Sequence, residues 1–146
     1  MLKGIDPILS PELLMHLSAM GHGEWVAVVD ANFTANYLAQ GKPLVRLPGI
    51  TLERACQAVL SVFPIDEHVS HPAAYMRVCD MPDSHRTDAQ KAVIKLLAKE
   101  GIPLKRIAPI ERFAFYDKVK AASLIVQCGE GTAYGNAMFA KGVILV

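Results

Sequence analysis

Five consecutive apolar residues, Trp25-Val26-Ala27-Val28-Val29, constrain this chain more than any other stretch. The run offers no polar position to either side of a pleat, so a strand formed here is buried on both faces. Met20-Gly21-His22-Gly23 precedes it and Asp30-Ala31-Asn32-Phe33 follows. Glycines flanking His22 open backbone conformations that a Cβ forbids, which suits an imidazole held in a sharply turned segment. Asp30 falls at the carboxyl end of the strand, where open α/β sheets place their ligands. His22 and Asp30 are therefore the first candidates for chemistry.

Helical patterns alternate with further short apolar runs. Ser10-Pro11-Glu12 supplies a cap, a first-position proline and a first-turn acid. Leu13, Leu14, Leu17 and Met20 follow at helical spacing, with Gly21 as the expected stop. Thr51 opens a second helix that carries Leu52, Ala55, Val59 and Leu60 on one face. Thr87-Asp88-Ala89-Gln90 matches a capping box, and Glu111 to Val119 reads as a further helix. Strands are expected within 43–49, 73–79, 104–107 and 123–128, with an apolar tail from Ala137 that turns at Lys141-Gly142. Thr34 to Gly41 is a loop or a short helix. This alternation argues for a layered α/β domain with a mainly parallel sheet. No repeat, linker or composition shift divides residues 1–146, so one domain is expected.

Charge and motif content narrow the function classes. Fifteen basic residues against fourteen acidic ones give no bulk electrostatic case for nucleic acid or an anionic membrane. No apolar stretch is long enough to span a bilayer, and the first residues lack the apolar core of a secretory signal. Cys56, Cys79 and Cys128 are odd in number and without metal spacing, which suits reduced thiols in a cytoplasm. A 52% hydrophobic composition suits a subunit that hides surface in an oligomer. Neither a P-loop, a dinucleotide fingerprint nor a nucleophile elbow is present. Acid–base or binding chemistry is left.

Three other groups could take part. Asp66, Glu67, His68 and His71 crowd one loop, but their spacing matches no established metal pattern, so no metal is expected. Arg112 stands beside Phe113, Phe115 and Tyr116, either as a snorkelling arginine on a core stripe or as a ligand contact. Tyr134-Gly135-Asn136 follows Gly129-Glu130-Gly131. It reads equally as a turn or as a set of donors and acceptors for a sugar or an amide.

Taken together, Met20-Gly21-His22-Gly23, Asp30-Ala31-Asn32-Phe33, Arg112-Phe113-Ala114-Phe115-Tyr116 and Tyr134-Gly135-Asn136 resemble the fucose mutarotase and ribose pyranase family, RbsD/FucU. The likeness extends from Ser10-Pro11-Glu12-Leu13-Leu14 to Lys141-Gly142-Val143. It implies a three-layer α/β/α domain with a mainly parallel or mixed central sheet. It also implies a cytoplasmic isomerase that interconverts the anomers of L-fucose or a related monosaccharide without a cofactor. The proton donor then falls on His22, and sugar-hydroxyl contacts fall on Asp30, Arg112, Tyr134, Gly135 and Asn136. The Arg-Phe-Ala-Phe-Tyr stretch is similar to the fucose branch, while Asn32 and Thr34 depart from it. A D-ribose pyranase and a non-catalytic sugar-binding protein attached to transport are the alternatives. The resemblance further implies a homo-oligomer, since members of the family are typically ring-shaped and often decamers.

One distance bears on how such a site is assembled. With Glu24 to Val29 extended at about 3.3 Å per residue, His22 and Asp30 lie roughly 20–25 Å apart. A single chain then cannot put both on one sugar, and the site is expected between subunits, with His22 of one chain facing Asp30, Arg112 and Tyr134 of a neighbour.

Overall fold

Burial along the central strand decides the layers. In the computed structural model, which describes residues 1–146, β1 (Trp25–Val29) sends Val26 and Val28 into one core and Ala27 and Val29 into another. The other elements in chain order are α1 (Pro11–Ala19), α2 (Ala35–Ala39), β2 (Leu44–Leu47), α3 (Leu52–Leu60), β3 (Ala73–Met76) and α4 (Asp88–Lys99). They are followed by β4 (Ile107–Ile110), α5 (Arg112–Lys120), β5 (Leu124–Cys128) and β6 (Ala137–Ala140). Leu13 and Leu17 of α1, Ala55 and Val59 of α3, and Val93 and Leu97 of α4 fill the larger core on one face. Leu38 of α2 with Phe115 and Val119 of α5 fills the core on the other. The expected three-layer α/β/α arrangement is present. No helix is long and apolar enough to cross a membrane.

The six strands stand in the order β2-β5-β1-β6-β3-β4. All pair in parallel except β6, which runs antiparallel to both β1 and β3, so the sheet is mixed. The reason is the length of the preceding connection. Residues 129–136 are too few for the crossover that a parallel return requires. The chain instead passes over the end of β1 and comes back down on its far side. Asn136, just before β6, is thereby carried to the edge where the five parallel strands have their carboxyl ends.

Several local expectations are corrected. The strand expected over 104–107 starts later. Leu104–Arg106 is a 3₁₀ turn behind Pro103, and the strand begins at Ile107. Its Pro109 is tolerated because β4 is an edge strand. β3 ends at Met76 rather than near Cys79, since the chain soon turns through Asp80 in a left-handed conformation (φ 58°). Gly21 does follow the cap of α1, but the turn is made by an extended Met20 and not by a left-handed glycine. Of the two glycines around His22, only Gly23 (φ 81°) uses the left-handed region that glycine favours.

Candidate active site

Asp30, Arg112, Tyr134 and Asn136 converge on one open cavity of about 250 Å³ at the carboxyl edge of the sheet, with Asn32, Phe33, Met76 and Tyr116 among its other walls. Asp30 is buried at the end of β1. Its backbone N–H donates to Asn136 Oδ1 (3.0 Å), and its Oδ1 accepts from the Asn32 N–H (2.9 Å). The Gln127 amide gathers the carbonyls of Asp30, Ala31 and Phe33 at 3.2–3.3 Å and fixes the turn that follows. Burial pushes the Asp30 carboxyl above the ordinary aspartate range, against hydrogen bonds from the Asn32 N–H and Asn136, and the nearby Glu130 charge adds to the rise.

Arg112 is placed by a helix cap. The Glu111 carboxylate accepts from the N–H groups of Phe113 (2.9 Å) and Ala114 (3.1 Å), so α5 begins with Arg112 at the cavity mouth. Arg112 Nε donates to the Tyr116 hydroxyl (3.0 Å), and its guanidinium lies 5.6 Å from the Tyr116 ring centre. Tyr134 holds a positive φ of 61°, and its phenol is pushed upward by hydrogen bonding to Cys79. Gly135 is required by close approach: a Cβ there would sit 2.8 Å from Glu130 Cγ and 2.9 Å from the Thr132 carbonyl. The Glu130 carboxylate in turn accepts from the N–H groups of Thr132 (2.9 Å) and Leu52 (3.2 Å), tying this loop to the start of α3.

His22 lies at the opposite end of β1. The five residues of that strand, at about 3.3 Å each, separate it from Asp30 by roughly 16 Å or more. One chain therefore brings Asp30, Arg112, Tyr134, Gly135 and Asn136 together and leaves His22 apart. The histidine has its own carboxylate. His22 Nε2 is 3.0 Å from Asp66 Oδ2, and the His22 side chain is 53% exposed while that of Asp66 is 2% exposed. Asp66 Oδ1 also accepts from the His68 N–H (3.0 Å). The Asp66 N–H donates to the Ala140 carbonyl (3.0 Å) at the end of β6. Glu24 braces the His22 turn by accepting from the Gly21 N–H and the Ser123 hydroxyl. A bound carboxylate at Nε2 leaves Nδ1 of a half-exposed ring as the nitrogen that can meet a ligand.

Asp66 was grouped by sequence with possible metal ligands, and the structure gives it a different partner. Its pairing with His22 depends on the bridge between Ile65 and Lys141, which joins the 61–72 loop to the chain after β6. His71 Nδ1 lies 3.1 Å from the Ser70 hydroxyl. Among the aromatic residues here, Phe33 and Tyr116 line the Asp30 cavity with Tyr134, whereas Tyr37 borders a neighbouring groove.

Comparison with known proteins is consistent along the whole chain. The profile of the RbsD / FucU transport protein family matches residues 3–144. A fucose mutarotase from Homo sapiens is 37% identical over 146 residues, covering 98% of this chain and 94% of that protein. An L-fucose mutarotase from Glaesserella parasuis is 38% identical over 143 residues, covering 98% and 96%. The crystal structure of a fucose mutarotase in complex with L-fucose from Streptococcus pneumoniae superposes with a TM-score of 0.90 at 30% identity, covering 99% of this chain and all of that one. Bacillus subtilis RbsD complexed with D-ribose superposes at 0.76 with 17% identity, a likeness of fold.

Proposed function

The chain belongs to the RbsD/FucU family, and from that premise we propose that it is a cofactor-independent mutarotase that interconverts the anomers of L-fucose or a closely related monosaccharide. The observation that carries the reading is the division of labour along β1. One end presents a carboxylate-tethered imidazole, and the other an open cavity walled by a buried carboxylate, an amide, a guanidinium and aromatic rings. Apolar faces and convergent polar groups are what a pyranose requires.

Anomer exchange moves one proton between two oxygens bonded to the same carbon. In our reading Nδ1 of a neutral His22 takes the proton from the anomeric hydroxyl. The C1–O bond to the ring oxygen breaks as the C1=O bond forms, and the imidazolium returns the proton to the ring oxygen. Rotation about C1–C2 and the reverse sequence close the ring on the other face. Since both oxygens sit on C1, one imidazole serves both steps. Asp66 holds the ring in the tautomer that bears the Nε2 proton and lies beside the charge that forms. Asp30 and Asn136 fix hydroxyls, Tyr134 adds a phenol, Gly135 lets the wall approach, and Arg112 polarises an oxygen.

The ends of β1 are too far apart for one chain to surround one sugar. We therefore place the working site between protomers of a homo-oligomer, a ring or decamer in the cytoplasm, with His22 of one protomer over the cavity of the next. Exposed Tyr37 and Phe113 beside the cavity are surface that such a neighbour would cover.

Saturation-transfer NMR between α- and β-L-fucose tests the assignment. Wild type is expected to accelerate exchange, and His22→Ala to lose about 10²–10⁴-fold of that acceleration while still binding the sugar. Bound sugar with an unchanged exchange rate would make this a sugar-binding protein instead, and equal acceleration by the two proteins would remove His22 from the chemistry.

A further inference from the structure

We propose that Gln90, the third residue of α4, is a positioning residue that holds the Tyr134–Asn136 wall of the cavity in its ligand-binding shape. The proposal rests on the reading of Tyr134 and Asn136 as sugar contacts.

A capping box needs only the oxygen of this glutamine, and Oε1 does accept from the Thr87 N–H (3.0 Å). The amide nitrogen is not needed for that purpose. It donates instead to two carbonyls outside the helix, those of Met76 (2.7 Å) and Tyr134 (2.9 Å). Both residues line the Asp30 cavity, and Gln90 is itself 1% exposed. Both amide protons are therefore committed in a place that water does not reach.

The target of the second bond is a strained residue. Tyr134 has φ 61°, a region that side chains with a Cβ rarely adopt and that neighbouring structure must impose. Its carbonyl also accepts from the Asn136 N–H (2.9 Å), and Asn136 Oδ1 accepts from the Asp30 N–H (3.0 Å). Hydrogen bonds thus run without a break from the start of α4 through the wall to Asp30. Without the Gln90 donors, the Met76 carbonyl loses a buried partner and the hydrogen bond from α4 to the Tyr134 carbonyl is gone.

The full-length protein, Gln90→Met, Gln90→Glu and Thr87→Ala are compared by anomer exchange on L-fucose, by sugar titration followed by NMR, and by thermal unfolding. Gln90→Met keeps the length of the side chain and removes both donors. It is expected to raise KM and Kd about tenfold or more with kcat within about twofold. Gln90→Glu retains the cap acceptor but turns a carboxylate oxygen, which cannot donate, toward the two carbonyls, and is expected to raise KM and Kd at least as much as Gln90→Met. Thr87→Ala breaks only the cap and is expected to lower Tm with KM unchanged. A lowered Tm with KM and Kd within about twofold of wild type, in whichever Gln90 variant folds, would reduce Gln90 to a buried cap and overturn the proposal. If wild type binds the sugar without accelerating exchange, the mutarotase reading falls, and weakened binding in Gln90→Met still supports the role. If wild type neither binds nor exchanges, both fall.

Discussion

His22 and Asp66 form a pair in which each supplies what the other lacks. The imidazole is half-exposed and needs an orienting partner, and the buried carboxylate needs a donor. Asp66→Asn keeps the shape and removes the negative charge beside Nε2. It is expected to reduce exchange by about tenfold or more while sugar affinity stays near wild type, as single-turnover NMR would read. An unchanged rate would leave Asp66 a structural residue. At the other end of β1, Asp30 makes a claim about pH. Its carboxyl is raised by burial above its value in the unfolded chain. Its contribution to stability is therefore complete below about pH 4 and is lost as pH rises through the raised value. Asp30→Asn should gain stability relative to wild type over that interval, and urea titrations at several pH values measure the difference. A difference flat with pH would contradict it. Asp30 was readable because a carboxylate ending a doubly buried strand must find partners. Asp66 was not, because its partner lies 44 positions away and is brought close only by the bridge from Ile65 to Lys141.

Among the elements, the connection from β5 to β6 matters most for the site. It crosses the end of β1, reverses the direction of β6 and sets Tyr134, Gly135 and Asn136 over Asp30. Its tightness is tested by Gly135→Ala, whose methyl group would press on Glu130 and the Thr132 carbonyl. We expect a loss of about 1–3 kcal/mol in urea unfolding, accompanied by weaker sugar binding. Unchanged stability would mean that the loop yields to the added methyl group and is not held tightly. The run from Trp25 to Val29 announced layers on both faces of the sheet, and the capping box at Thr87 placed α4 to the residue. Strand direction was harder to read, since the four apolar residues of β6 carry no orientation of their own. The short connection before it was the missing argument. Likewise Gln90 read as a helix start, and its second use in the cavity wall depends on how α4 packs against β3.

For the whole molecule, the account turns on assembly. Within one chain His22 and the Asp30 cavity occupy opposite ends of the sheet, and on the proposed reading a protomer alone is half of two sites. A closed ring of identical subunits makes every half meet its complement, and each interface then repeats the same pairing. The most direct measurement is to co-assemble two variants that are inactive separately, His22→Ala and Asp30→Asn, and to assay anomer exchange of the mixture. Random assembly leaves a wild-type histidine facing a wild-type aspartate at about one site in four, so about a quarter of wild-type activity is expected. Mixed oligomers, verified by mass, that remain as inactive as their parents would contradict a site shared between chains.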